Sequence, residues 1–213
     1  MSNLFAVGAA LAVVAGSASA QYNLITNGNF EFGVPYGWQY LATATSSFAV
    51  TNDAQTGSFG GALEEFGEAN AAVLRQANLG AGLVQPGETI TISFWAKAVN
   101  GDGGVNFAEF YSESTTIGVT KSEILGGGPL FAPDDHWQHY VFTTTAGPDV
   151  SAGVTFQITA TTGAIIGTFS QLYLDNVSVT IDSVQVCPAD INGDGVLNLD
   201  DINEFAAAFL GGC

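Results

Sequence analysis

Charged residues are scarce in this sequence, and basic residues are almost missing. Only 11% of the 213 residues are charged, and three basic residues, Arg75, Lys97 and Lys121, stand against 20 acidic ones. The net charge of −17 excludes a nucleic-acid backbone as the main partner, because phosphate binding needs clustered cations. The same shortage disfavours attachment to anionic lipid, whereas an acidic chain is suited to binding cations.

Long apolar runs are also missing. Residues 1–20 carry no charge, and an apolar run from Leu4 to Ala15 precedes Ala18-Ser19-Ala20, a small-residue pattern typical of cleavage sites. The run is too short to span a bilayer. We therefore expect a signal peptide over residues 1–20, no membrane span, and a mature protein that is secreted or lies at the cell surface. A buried N-terminal strand or helix is the alternative.

Cysteine is limited to Cys187 and Cys213. In an exported chain, two cysteines favour one disulfide, which would close the last 27 residues. Metal ligation and free thiols are the alternatives, although no histidine lies nearby in the sequence.

Short alternating segments make up most of the chain after Gln21. In ETITISFWAKA, Ile90, Ile92 and Phe94 alternate with polar residues, as in a half-buried strand. Similar patterns cover residues 105–112, 137–145, 153–160 and 172–181. Turn residues separate these segments, and strands do not alternate with helices, so we predict an all-β antiparallel sandwich. A helical turn is compatible with Glu64 to Leu79.

Three blocks of the sandwich segment resemble a known family. They are Asn23 to Gln39 with its Asn-Gly-x-Phe-Glu and Gly-Trp motifs, Pro86 to Ala98, and the closing pair of Trp137 to Thr143 and Leu172 to Val179. In this order they resemble carbohydrate-binding modules of the family 4, 9 and 22 (CenC-like) type over nearly all of residues 22–181. The resemblance implies a jelly-roll β-sandwich with one concave sheet, which we assign to residues 21–183.

The resemblance also implies a structural calcium ion. In such modules an N-terminal Glu and the Asp of a closing Asp-Asn-Val motif usually help to hold it, and the matching residues are Glu31 and Asp175. Asn29 is a candidate helper. Calcium prefers six to eight oxygen ligands, which fits these side chains. The alternative is that both carboxylates cap backbone amides.

A glycan-binding face needs aromatic rings and amide or carboxylate groups. Alternation places five such residues opposite the core positions: Trp95, Glu109, Tyr111, His139 and Gln157. We predict that they form one platform if their strands share the concave sheet. The alternative is that the aromatic residues are scaffold, and we expect Trp38 and Trp137 to belong to the core.

The composition changes after Val186, and we assign residues 184–213 to a separate tail. Its acidic residues follow the EF-hand spacing, with Gly195 at the sharp turn. The predicted Ca²⁺ ligands are Asp190, Asn192, Asp194, Val196, Asn198 and Asp201. A helix with an apolar stripe should follow this EF-hand-like loop. The segment resembles half a dockerin, and because only one repeat is present, a cohesin-like or other surface partner is an open expectation.

No motif of a nucleotide-binding, serine-hydrolase or zinc-peptidase site occurs in the sequence. We therefore predict no catalytic residues and no enzyme activity. The expected function is binding of a polysaccharide or cell-surface glycan by an exported calcium-binding module, with the dockerin-like tail for attachment. The alternative is a structural or adhesive protein without specific glycan binding.

Overall fold

The computed structural model describes residues 21–130, 135–182 and 199–211. Within these ranges the chain forms eleven β-strands and one α-helix. The elements are β1 Tyr22–Asn23, β2 Gln39–Leu41, β3 Ser46–Thr51, β4 Gly60–Glu65, β5 Ala71–Leu79, β6 Thr89–Asn100, β7 Gly104–Ser114, β8 Gly118–Ile124, β9 Gln138–Thr145, β10 Gly153–Thr162, β11 Ser170–Ile181 and α1 Leu199–Gly211.

The strands build two antiparallel sheets, as the all-β prediction required. The six-stranded sheet has the order β3-β4-β11-β6-β9, and β1 pairs with the end of β11. The five-stranded sheet has the order β2-β5-β10-β7-β8. Most consecutive strands, such as β6 and β7 or β10 and β11, lie in different sheets. The chain therefore crosses repeatedly between sheets, in a sandwich of the jelly-roll type.

The core lies between the two inner faces. Ile90, Ile92 and Phe94 alternate inward on β6 and are fully buried, as their spacing predicted. The ring of Phe94 packs 5.7 Å from the ring of Phe156 on β10, which joins the two sheets. Burying each large apolar side chain contributes about 1.5–3 kcal/mol.

The five segments predicted as strands coincide with β6, β7, β9, β10 and β11. The helical turn suggested for Glu64 to Leu79 is wrong, because this stretch contains the end of β4 and all of β5. Leu74 and Gln76 are buried while Arg75 faces outward, which is strand alternation. Trp38 is a core residue as expected, whereas Trp137 is half-buried beside Lys97 and not part of the core.

The predicted C-terminal helix is present as α1. Asp200 and Asp201 lie in its first turn, where negative charge favours the helix dipole. Its apolar side chains are exposed, and the rings of Phe205 and Phe209 stack on each other with centroids 6.3 Å apart.

Candidate functional site

The five residues predicted to form one platform lie on two sheets. Glu109 and Tyr111 belong to β7 and Gln157 to β10, in the five-stranded sheet. Trp95 belongs to β6 and His139 to β9, in the six-stranded sheet. The outer faces of the two sheets are on opposite sides of the sandwich, so a single platform is wrong. Alternation correctly placed all five side chains outward but carries no information about which sheet a strand joins.

A row of polar side chains crosses the outer face of the five-stranded sheet. The strand register aligns Gln39 on β2, Arg75 on β5, Gln157 on β10 and Glu109 on β7. We call these four residues the polar row. With adjacent strands about 4.8 Å apart, the row extends over roughly 14 Å.

Glu109 holds its neighbours on this face through three hydrogen bonds. Its carboxylate accepts from Tyr111 Oη (3.0 Å), Gln157 Nε2 (2.7 Å) and Thr159 Oγ1 (2.6 Å). At the other end of the row, Arg75 Nε donates to Gln39 Oε1 (3.2 Å). These bonds fix the directions of the polar groups before any ligand arrives, which lowers the entropic cost of binding.

Tyr111 is adjacent to the row and has a shifted ionisation. The pKa of Tyr111 is raised to about 12, first by burial and then by the charge and the hydrogen bond of Glu109. Arg75 acts in the opposite direction. The hydroxyl therefore keeps its proton at neutral pH and donates it to Glu109, while its oxygen can still accept a hydrogen bond from a ligand.

An apolar strip runs beside the polar row. Thr159 is in register with both Phe107 on β7 and Val73 on β5, and Val73 is in register with Leu41 on β2. Leu41 is exposed, and Phe107 and Val73 are half-buried. The face thus offers hydrogen-bonding groups next to apolar surface, which suits a ligand with hydroxyl edges and C–H faces.

The glycan site predicted from the sequence did not include Gln39, Arg75, Phe107 or Thr159, which also lie on this face. Arg75 could not be assigned to a sheet face because its segment, Glu64 to Leu79, was also compatible with a helical turn. Gln39 is the first residue of a strand of only three residues, which is too short to give an alternation signal. Phe107 alternates with buried Ala108 in the same way as Glu109 and Tyr111, so the pattern contained the signal that could have identified it.

Trp95 and His139 form a stacked pair on the opposite face. Their ring centroids are 5.0 Å apart at an interplanar angle of 21°, and the two residues are in direct cross-strand register. His139 Nε2 also lies 2.7 Å from Ser93 Oγ. The pair is therefore a fixed aromatic surface, with His139 exposed and Trp95 half-buried.

Lys97 lies two residues further along β6 and is buried, with 8% of its surface exposed. Its Nζ is 2.8 Å from Asp53 Oδ2 and 3.2 Å from Asp135 Oδ1, and it faces the rings of Trp137 and Tyr173. Burial alone would lower the pKa of Lys97, but the two carboxylates outweigh it and raise the pKa. This cation is engaged within the fold and ties the segments of Asp53 and Asp135 to β6.

The carboxylates of Glu31 and Asp175, predicted to bind calcium, converge on one loop. Glu31 Oε1 accepts the backbone N–H groups of residues 58 and 59 at 2.7 and 2.9 Å. Asp175 Oδ2 accepts those of residues 55 and 56, both at 2.9 Å. Amide capping, the alternative left open by the sequence, is therefore present. Asn29 Oδ1 accepts the N–H of Glu31 at 3.4 Å.

Asp175 is completely buried, and burial raises its pKa. Its hydrogen bonds from backbone amides offset part of this rise, and the nearby charge of Glu31 adds to it. Two acidic groups that repel each other across a buried site favour a bound cation. In the described residues, no cluster of three or more His, Cys, Asp or Glu side chains could hold a metal ion by itself.

Most of the tail's predicted site lies outside the described residues. This applies to Asp190, Asn192, Asp194, Val196 and Asn198, and to both cysteines of the predicted disulfide, Cys187 and Cys213. Asp201 is described, as a buried residue in the first turn of α1.

The fold is a jelly-roll β-sandwich whose five-stranded sheet presents the polar row on its outer face. A comparison with family models makes this assignment specific: residues 22–163 match the family CBM_4_9, described as a carbohydrate binding domain. The match covers more than half of the chain, and the protein belongs to this family.

Solved structures support the fold at low sequence identity. The xylan-binding CBM22-1 domain of Paenibacillus barcinonensis Xyn10C has a TM-score of 0.55 and 15% identity, covering 78% of this chain and 99% of that domain. The Stig cyclase Fisc of Fischerella sp. TAU has a TM-score of 0.55 and 16% identity, covering 76% and 98%. These identities support the fold alone, and a cyclase shows that the fold also occurs among enzymes.

The enzymatically active domain of tailspike protein 4 of bacteriophage CBA120 is also similar, with a TM-score of 0.57 and 17% identity. The match covers 75% of this chain but only 21% of the tailspike chain, so this protein spans about a fifth of its length. A comparison with curated proteins found no match. In the parts of the chain that the structure describes, no helix is long and apolar enough to cross a membrane.

Proposed function

We propose that the protein is an exported, non-catalytic module that binds an uncharged polysaccharide along the outer face of its five-stranded sheet. The observation that carries this proposal is the polar row, Gln39-Arg75-Gln157-Glu109, held by internal hydrogen bonds and bordered by Tyr111 and the apolar strip. Membership of the carbohydrate-binding family supports the class of ligand.

An extended sugar chain fits such a face for two reasons. Amide, carboxylate and guanidinium groups match hydroxyls, which both donate and accept hydrogen bonds. The rings of Phe107 and Tyr111 and the side chain of Leu41 offer apolar surface for the C–H faces of sugar rings. A row of roughly 14 Å gives room for about three sugar units in an extended chain.

Charge narrows the class of polysaccharide. The face includes Glu109 and Glu113, with Arg75 engaged by Gln39, and the whole chain carries a net charge of −17. An anionic polymer would be repelled before contact. We therefore expect the ligand to be neutral.

Affinity electrophoresis tests this proposal. Native gels with a panel of neutral polysaccharides (xylan, β-glucan, galactan and mannan) should retard the wild-type protein in at least one gel. Tyr111→Ala should weaken that retardation about tenfold or more, since a half-buried ring contributes about 1–3 kcal/mol.

Tyr22→Ala is the matched control, because Tyr22 is an exposed tyrosine on β1 of the other sheet. It should leave retardation unchanged. Absence of retardation in every gel would favour the structural or adhesive alternative. Release of reducing sugars from any of the polysaccharides would contradict the non-catalytic part of the proposal.

The proposal includes a structural calcium ion held by Glu31 and Asp175. It is supported by the convergence of both carboxylates on residues 55–59 and by the raised pKa of Asp175 beside the charge of Glu31. The ion would join the first loop of the sandwich to its last strand. At a calcium concentration 100-fold above Kd, binding adds about 2.7 kcal/mol to stability, so chelation should lower the melting temperature. Identical melting curves with and without chelator would overturn this part.

The tail supplies the attachment function in this proposal. Support comes from the EF-hand ligand spacing over residues 190–201 and from the exposed rings of Phe205 and Phe209 on α1. A unit of this size needs a metal or disulfide to stay folded, so the helix should depend on calcium and on the Cys187–Cys213 bond. Hydrogen exchange on the full chain tests this: strong amide protection of residues 202–209 after chelation and reduction would contradict it.

A further inference from the structure

A pocket lies on the six-stranded side of the sandwich, away from the polar row. It has a volume of about 360 Å³, within the range of small-ligand sites. Four of its eight lining residues are asparagines, and none carries a charge. The lining consists of Asn23, Ile25, Asn27, Gly28, Asn29, Asn176, Val177 and Ser178.

The pocket is built by the fold at a specific irregularity. The register of β11 against β6 shifts between Asp175 and Ser178, and Asn176 at this shift has a φ of 50°, a conformation that asparagine tolerates better than most residues. Val177 N–H donates to Gly28 O (2.9 Å), which joins the bulge to the first loop. A Cβ at Gly28 would lie 2.0 Å from Val177 O, so this close approach requires glycine.

Hydrogen bonds hold the asparagines in place. Asn23 Oδ1 accepts the N–H of Val179 at 3.1 Å, and Asn176 Nδ2 donates to Thr56 Oγ1 at 2.7 Å. Asn27 Nδ2 donates to Val34 O at 3.0 Å. The hydrogen bonds of the described residues leave the Nδ2 groups of Asn23 and Asn29 available as donors to a ligand.

The rim of the pocket leads to the aromatic pair of the same face. Ser178 is in register with Ser93, and its Oγ donates to Ser93 O at 3.4 Å. Ser93 Oγ in turn lies 2.7 Å from His139 Nε2, and His139 stacks on Trp95. The uncharged asparagine pocket at β11 therefore lies next to the ring surface of Trp95 and His139 on the neighbouring strands β6 and β9.

From this juxtaposition we infer a second carbohydrate site, which binds the end of an uncharged glycan. The terminal sugar occupies the asparagine pocket, where carboxamides donate to and accept from its hydroxyls. The next sugar lies against the ring pair of Trp95 and His139. This site differs from the proposed function in its sheet and in its mode, because it binds a chain end and the polar row binds the middle of a chain.

Nuclear magnetic resonance on the ¹⁵N-labelled full chain tests this inference. The probes are the methyl glycosides of glucose, galactose, mannose and N-acetylglucosamine, and the disaccharides cellobiose, lactose and mannobiose. At least one methyl glycoside should shift the side-chain amide signals of Asn23 and Asn29 with a Kd of about 1 mM. The side-chain signals of Arg75 and Gln157 should stay in place with the same probe.

Two variants separate the pocket from the ring pair. Asn29→Ala should weaken monosaccharide binding about tenfold, whereas Asn203→Ala, at an exposed position of α1, should not change it. Trp95→Ala should weaken disaccharide binding while leaving the monosaccharide Kd unchanged. Circular dichroism should show that each variant is folded.

The inference is overturned if no probe shifts the asparagine signals, or if the shifts persist with an unchanged Kd in Asn29→Ala. Both results leave the polar row untouched, since its test uses polysaccharide retardation and Tyr111→Ala. If no polysaccharide retarded the protein but the side-chain amide signals of Asn23 and Asn29 still shifted, the proposed function would be contradicted and this second site would stand.

Discussion

The two outer faces of the sandwich use their cations in different ways. On the six-stranded sheet, Lys97 is buried between two carboxylates and two aromatic rings. On the five-stranded sheet, Arg75 lies half-buried in the polar row, with one side-chain hydrogen bond to Gln39. Lys97 therefore holds loops of the fold together, whereas Arg75 remains accessible to a ligand. Position in a hydrogen-bonded row, and not residue type, thus distinguishes the face that we propose to bind the polysaccharide.

The same contrast applies to the carboxylates. Asp175 is directed at backbone amides of a neighbouring loop. Glu109 is directed at three side chains that share an exposed face. The first arrangement supports the fold, and the second fixes the positions of polar groups on the proposed binding face.

The largest expected effect comes from exchanging the two cations for methionine. Lys97→Met removes the ion pairs with Asp53 and Asp135 and the contacts of the cation with the rings of Trp137 and Tyr173, so it should destabilise the protein by about 1–2 kcal/mol. Arg75→Met should change stability by no more than about 0.5 kcal/mol but should weaken polysaccharide binding. Thermal unfolding and affinity electrophoresis of the two variants give the comparison.

The contribution of Lys97 has a predictable pH dependence. Because its pKa is raised in the folded state, the stabilisation is complete below the unfolded value of 10.5 and is lost as the pH rises through the folded value. The difference in melting temperature between wild type and Lys97→Met should therefore persist at neutral pH and shrink in strong alkali. If wild type and Lys97→Met had equal melting temperatures at neutral pH, Lys97 would contribute no more to stability than Arg75.

A smaller effect is expected for Glu109→Gln. The variant keeps the shape of the side chain but loses the charge that accepts three hydrogen bonds, so it should lose about 1 kcal/mol of stability. The pKa of Tyr111 should fall below about 12, since the charge of Glu109 contributes to its rise. Spectrophotometric titration of the tyrosines checks this, and an unchanged titration would mean that burial alone holds the proton.

The smallest effect is expected at the edge of the proposed binding face. Leu41→Ser removes an exposed apolar side chain from β2, so stability should change by less than about 0.5 kcal/mol. Polysaccharide binding should fall about twofold to fivefold, because the end of the apolar strip is lost. If Leu41→Ser lost more polysaccharide affinity than Tyr111→Ala, the centre of the binding face would lie at this edge and not at Tyr111.

The sequence predicted the inward and outward positions of the long strands but not their partners. Trp95 and Tyr111 have the same alternation signal, yet β6 and β7 lie in opposite sheets. Sheet membership depends on contacts between residues distant in sequence, which local periodicity does not encode. Arg75 shows the same limit, because the row that gives it a role joins β2, β5 and β10.

The most direct test of the account maps where the polysaccharide lies. With the ¹⁵N-labelled full chain and an oligosaccharide prepared from the polysaccharide that retards the protein most, the side-chain signals of Gln39, Arg75 and Gln157 should shift together and saturate together. Tyr111→Ala should weaken this binding about tenfold. Shifts confined to the six-stranded face around Trp95, with the polar row unchanged, would contradict the assignment of the main binding face.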